Sequence, residues 1–100
     1  MSDHAVIVWF QYGQQDLAPM FAVQDRLTEA IEAAGVGEFD GNEIADDGSD
    51  GSFYMYGPDA DGLFAAVEPI LRATPFLAGA VVVLRYGPPD PESRETKVVL

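Results

Sequence analysis

The segment from Gly51 to Pro75 reads Gly-Ser-Phe-Tyr-Met-Tyr-Gly-Pro-Asp-Ala-Asp-Gly-Leu-Phe-Ala-Ala-Val-Glu-Pro-Ile-Leu-Arg-Ala-Thr-Pro, a strand, a Tyr-Gly turn and a helix, and it has a counterpart earlier in the chain. Placing Tyr56-Gly57 over Tyr12-Gly13 sets Trp9-Phe10 against Phe53-Tyr54, Met20 against Phe64, Val23 against Val67 and Leu27 against Leu71. Two copies of one strand-turn-helix unit, each with an apolar strand and an apolar helix stripe to bury, call for a layered domain around one core.

The rest of the chain fits around these two units. Ala5 to Tyr12 is a nearly unbroken run of Val, Ile, Trp, Phe and Tyr, the composition of a central strand. Asp16 is placed to cap the helix that follows, and Pro19 is tolerated in its first turn. Met20, Val23, Leu27, Ile31 and Ala34 recur at three and four residues and form one stripe, which Gly35 ends with a left-handed stop. Phe39 and Ile44 lie within an acidic stretch that reads as a short edge strand, and the cluster from Asp46 to Gly51 turns it into a hairpin with Ser52 to Tyr56. Asp59 or Asp61 caps the second helix, with the stripe Leu63, Phe64, Val67, Ile70 and Leu71. Pro69 inside that stripe should kink the helix, at a cost of roughly 3 kcal/mol where the backbone cannot adapt. Ala80 to Tyr86 is a further apolar strand, Gly87 to Ser93 a loop, and Arg94 to Leu100 regains strand character.

Strand, helix, strand, strand, helix, strand is the order of an α+β ferredoxin-like βαββαβ sandwich: two helices on one face of an antiparallel sheet, here with a C-terminal stretch able to add an edge strand beside Ala80 to Tyr86. The expectation is a single domain spanning residues 1–100, with both Tyr-Gly turns at the same end of the two central strands. Whichever of the sets Val6, Val8, Phe10, Tyr12 and Ala5, Ile7, Trp9, Gln11 faces the helices, the other leaves apolar side chains on the uncovered face. A second copy packed with two-fold symmetry is the simplest cover, so a homodimer is expected.

Charge bears most directly on partners. The 100 residues carry 17 acidic and 5 basic side chains, a net charge of −12. Between Arg26 and Arg72 there is no Lys or Arg, while Glu29, Glu32, Glu38, Asp40, Glu43, Asp46, Asp47, Asp50, Asp59, Asp61 and Glu68 all fall there. Such a surface repels a phosphate backbone and argues against nucleic acid. It favours encounter with a basic protein, although solubility alone also accounts for it. The longest apolar run, Ala78 to Leu84, is far short of the ~18–20 residues a membrane-spanning helix needs. The first residues, Met-Ser-Asp-His, lack a secretory signal, and a cytoplasmic location is expected. Zero cysteines exclude disulfides and thiolate chemistry.

Candidate sites are few. His4 is the only histidine, and its place at the start of a strand suits packing better than catalysis. Asp46, Asp47 and Asp50, with Ser49, are weak candidates for calcium ligands, since the spacing of a calcium loop is not met. Gly57-Pro58-Asp59-Ala60-Asp61-Gly62 opens a helix as a phosphate cradle would, but its acids favour capping. Ser2, Ser49, Ser52 and Ser93 have no base beside them in the sequence, no nucleophile motif is present, and nothing calls for a cofactor. Trp9, Tyr12, Tyr54 and Tyr56, with Tyr86 and Arg85, are the aromatic group suited to line an open sheet face, with core or dimer packing the plainer account.

Tyr-Gly-Pro-Asp-Ala-Asp-Gly-Leu-Phe at Tyr56 to Phe64, Pro75-Phe76, and Leu84-Arg85-Tyr86-Gly87-Pro88-Pro89 together resemble a widespread set of small bacterial proteins of unassigned function, over nearly the whole chain. The resemblance implies a bacterial, cytoplasmic, ferredoxin-like protein and carries over no catalytic residue.

Two functional expectations follow. The first is a non-enzymatic, dimeric protein-interaction module, of the kind seen in acidic inhibitors and immunity proteins, that meets a basic partner through Glu38, Asp40, Glu43, Asp46, Asp47 and Asp50. The alternative is a small-molecule-binding or enzymatic domain that uses the aromatic sheet face.

Overall fold

Alternation along the first strand decides which side of the sheet is covered. In β1 (His4–Gln11), Val6, Val8 and Phe10 are buried while Trp9 and Gln11 are exposed. In β3 (Asp50–Gly57), Phe53 and Met55 are wholly buried while Tyr54 and Tyr56 are half-buried. The computed structural model describes residues 3–13 and 16–100. It is an α+β arrangement that adds helices α1 (Ala18–Ala34) and α2 (Ala60–Arg72), strands β2 (Glu38–Ile44), β4 (Val81–Arg85) and β5 (Glu95–Val99), and a 3₁₀ turn at Pro75–Leu77.

The strands form one five-stranded sheet in the order β2-β3-β1-β4-β5, with every neighbouring pair antiparallel. This is compatible with a ferredoxin-like layout. The sheet as a whole departs from the four-stranded order because β5 lies outside β4, pairing Val81 with Val99 and Arg85 with Glu95.

Both helices bury one stripe against the same face. Met20, Val23, Leu27 and Ile31 of α1 and Ala60, Leu63, Val67 and Leu71 of α2 join Val6, Val8, Phe10, Phe53, Met55, Val82 and Leu84 in a single core. At the start of α1, the Asp16 carboxylate accepts from the N–H of Ala18 at 3.0 Å, and Gly35, at φ 64°, closes the helix by donating to the Ile31 carbonyl. Asp59 caps α2 by accepting from the N–H of Asp61, and α2 continues through Pro69 to Arg72. No helix among the described residues is long and apolar enough to cross a membrane.

Three sequence expectations need correction. Tyr12 does not share the open face with Trp9: it is 6% exposed, packs edge-on against Phe76, and donates its hydroxyl to the Asp16 carbonyl, all within the helix-side core. The Tyr-Gly turns lie at opposite ends of the sheet, because β1 and β3 run antiparallel, with His4 beside Gly57 and Gln11 beside Asp50. The internal repeat holds in the helices but not in the strands. Trp9, aligned with Phe53, faces out while Phe53 faces in. Ser2 lies outside the described residues.

Candidate functional site

The face away from the helices is built in rows across the sheet. One row runs Glu43, Ser52, Trp9, Val81, Val99; the next runs Gly41, Tyr54, Ile7, Val83, Lys97; a third runs Glu38, Tyr56, Ala5, Arg85, Glu95. No helix covers these side chains. Trp9 is 48% and Val99 66% exposed, and Ile7, Tyr54, Tyr56, Val81 and Val83 are half-buried by one another.

The face has two halves of different chemistry. On the β4–β5 side, Val81, Val83 and Val99 make an apolar strip edged by Lys97. On the β3–β2 side the small Ser52, 2% exposed, sits between larger neighbours: Trp9 across on β1, Glu43 across on β2, and Asp50 and Tyr54 two residues away along its own strand. These neighbours close over Ser52, and the recess that stays open lies beside Trp9. Trp9 meets Tyr54 edge to face at 6.2 Å between ring centroids, and the Tyr54 hydroxyl reaches the Glu43 carboxylate at 3.3 Å, which leans that acid along the wall. Trp9, Glu43, Asp50 and Ser52 line one open groove of about 810 Å³ that continues past Ile44 to Phe76 and Ala78–Val81. Its only charged lining residues are Glu43 and Asp50.

The other acids of the hairpin do not line this groove, and Glu38 lies at the opposite end of the sheet from it. Glu38 stands opposite Tyr56, Asp40 occupies the register shift between Phe39 and Gly41, and Asp46 and Asp47 form the exposed turn. Asp47 accepts from the N–H of Ser49 at 2.9 Å, and hydrogen bonding by Ser49 holds its carboxyl below the ordinary aspartate range. Among the described residues no three His, Asp or Glu side chains come together as a metal ion would require, and Asp46, Asp47 and Asp50 are no exception.

The tyrosines do not form one group. Tyr86 lies at the opposite end of the sheet from the groove, where its hydroxyl donates to Asp61 at 2.7 Å, its ring meets His4 edge-on, and the Arg94 guanidinium lies 5.8 Å from its centroid. Arg85 turns its Nε to the Gly87 carbonyl. His4 is engaged at the start of α2, accepting from the N–H of Ala60. Ser49 lies in the β2–β3 turn, Ser93 donates to the Pro88 carbonyl, and Ser52 is buried between Trp9 and Glu43, so none of the three is paired with His4.

Sequence reasoning passed over Ser52, Val81 and Val83 as parts of a surface. The signal was the alternation of Ser52, Tyr54 and Tyr56 with Phe53 and Met55, which separates the two faces of β3 without help from any motif. No protein-family model, curated protein or solved structure matches the chain.

Proposed function

We propose that this protein is a non-catalytic, ferredoxin-like protein-interaction module whose acidic β2–β3 hairpin and adjoining open sheet face dock a basic protein. The observation that carries the reading is the groove beside Trp9: an exposed aromatic surface whose charged lining residues are both acidic. Apolar area next to one sign of charge is the make-up of an interface in which burial supplies affinity and charge supplies rate and selectivity. The groove is partly open to solvent and not enclosed, which favours a protein surface over an enclosed small molecule.

The test is a pull-down from cell extract with the full chain as bait, at low and high salt, alongside a variant carrying Glu38→Gln, Asp40→Asn, Glu43→Gln and Asp46→Asn. The expected result is a basic protein whose capture weakens steeply with salt and is lost in the variant. Capture that ignores both salt and the variant removes the reading.

The apolar strip favours a second contact, a homodimer. Ile7, Val81, Val83 and Val99 form continuous uncovered surface on the β4–β5 half, and a two-fold copy would bury it while leaving the hairpin free. Sedimentation equilibrium should show a dimer that Val83→Glu returns to monomer. A monomer at all concentrations would remove the dimer and leave the hairpin reading standing.

A further inference from the structure

We infer that the groove beside Trp9 receives an arginine side chain of the partner, its guanidinium against the Trp9 indole and between the carboxylates of Glu43 and Asp50. The inference rests on the reading that a basic protein docks here, and it names the group that is recognised and the residues that recognise it.

Spacing sets the size of the site. Glu43 and Trp9 flank Ser52 on neighbouring strands, so their backbones stand about 10 Å apart, twice the interstrand distance of about 4.8 Å. Ser52 between them is 2% exposed and closed over by its neighbours, so the space open to a cation lies in the groove beside Trp9, which Glu43 and Asp50 also line. A flat cation there lies within the ~6 Å over which an aromatic face attracts positive charge, and within reach of both carboxylates. Asp50 stands opposite Gln11, on the same face and one step along from Ser52, and both it and Glu43 line the groove.

The protein's own cations are engaged elsewhere. Arg85 bonds the Gly87 carbonyl, Arg72 pairs with Glu68, Arg94 covers Tyr86, and neither Lys97 nor Arg26 lines the groove. The cluster at the other end of the sheet shows the same chemistry satisfied internally: the Arg94 guanidinium lies over the Tyr86 ring, whose hydroxyl bonds the Asp61 carboxylate. The groove offers a comparable aromatic and acidic surround, and no Lys or Arg among the described residues lines it. Arginine suits it better than lysine, because its planar guanidinium can stack on a ring while its donors reach two carboxylates, whereas an ammonium is a compact, strongly hydrated charge.

Trp9 is the only tryptophan, so its fluorescence reports on the site directly. The full chain is titrated at low salt with a capped hexa-arginine peptide, a capped hexa-lysine peptide and ethylguanidinium. A Glu43→Gln/Asp50→Asn variant is compared with a charge-matched Glu29→Gln/Glu32→Gln variant altered on the exposed side of α1, and circular dichroism confirms that both fold. The expected result is a saturable Trp9 response to hexa-arginine, weaker with hexa-lysine and weaker still with ethylguanidinium alone. Removing both recess carboxylates should weaken it about tenfold or more, as befits hydrogen bonds to charged groups, and the α1 variant should stay close to the parent.

Equal losses in the two variants, or equal responses to the two peptides, overturn the site. Calorimetric binding of hexa-arginine without a Trp9 response also overturns the recess but leaves the docking of a basic protein intact. No binding of either peptide removes both. Trp9→Leu, followed by calorimetry, gives a second check: unchanged affinity for hexa-arginine overturns the stacking role.

Discussion

The Nδ1 of His4 accepts the backbone N–H of Ala60 at 3.0 Å, so the first residue of β1 holds the first residue of α2 across 56 positions of sequence. The N–H groups of a helix's first turn have no partner within the helix, and Asp59 provides for Asp61 only. His4→Ala should therefore destabilise the fold by about 1 kcal/mol, the ordinary worth of one such bond, without changing binding at the hairpin. Urea denaturation of the two proteins measures the difference.

A closer backbone approach lies at the same end of the sheet. A Cβ on Gly57 would stand 2.1 Å from the carbonyl oxygen of Val36, and main chain cannot swing aside as a side-chain tip can. Gly57→Ala should cost about 1–3 kcal/mol as β3 and the segment after α1 are forced apart. A thermal melt should fall by several degrees, and an unchanged melting temperature would contradict the approach.

Two aromatics that stand three residues apart should respond in opposite ways to truncation. Tyr12 is enclosed by Phe10 and Phe76 and bonds the Asp16 carbonyl, so Tyr12→Ala should cost about 3–5 kcal/mol, as other large core truncations do. Trp9 is half in solvent, and Trp9→Ala should cost about 1 kcal/mol or less on the half of its surface that is covered. Denaturant midpoints for the pair test which face of β1 meets the helices.

This contrast also shows where the sequence was readable. The helix stripes were plain because polar residues stand between Val23, Leu27 and Ile31, and the acidic hairpin was plain because Asp and Gly cluster at its turn. The faces of β1 were not, since Val6 to Phe10 is apolar on both sides and carries no polar marker of the outside. Overlaying the two copies misled for a related reason. Val23 and Val67 are both buried, so the helices keep the offset of the repeat, but residues 12–17 join β1 to α1 whereas residues 58–59 join β3 to α2. Phe10 and Phe53 are the residues that both face in, so the inward sets of the two strands stand out of step with the overlay by an odd number of residues, which exchanges the faces. The recess itself was illegible because Trp9, Glu43 and Asp50 come together only once the pairing of three strands is known.

Asp47 gives a pH prediction of definite sign. Hydrogen bonding from Ser49 stabilises the ionised carboxyl in the folded hairpin and so lowers its pKa relative to the unfolded chain. A depressed folded value contributes stability that is fully present above the ordinary aspartate pKa of about 4 and is lost as pH falls through the lower folded value. The group is fully exposed, so the effect on global stability should be slight. The local one is measurable: carbon-detected NMR should show Asp47 titrating at lower pH than in Ser49→Ala, which removes the side-chain donor and leaves the backbone N–H in place.

Self-repulsion among the acids should make the fold respond to salt. Between Arg26 and Arg72 there are eleven acidic side chains and no basic one, and the one ion pair among the described residues, Glu68 with Arg72, lies on the exposed side of α2. Neighbouring carboxylates on β2, its turn and the start of β3 therefore repel one another in the folded state with no cation between them. Screening shortens the reach of that repulsion to about 10 Å at 0.1 M salt and about 3 Å at 1 M. The melting temperature should rise by a few degrees between 20 mM and 0.5 M sodium chloride. The increment should shrink when Glu43, Asp46 and Asp50 are replaced by their amides, because fewer like charges then remain to be screened. If the amide variant keeps the full salt response, the repulsion is spread over the whole surface, and the hairpin has no special part in it.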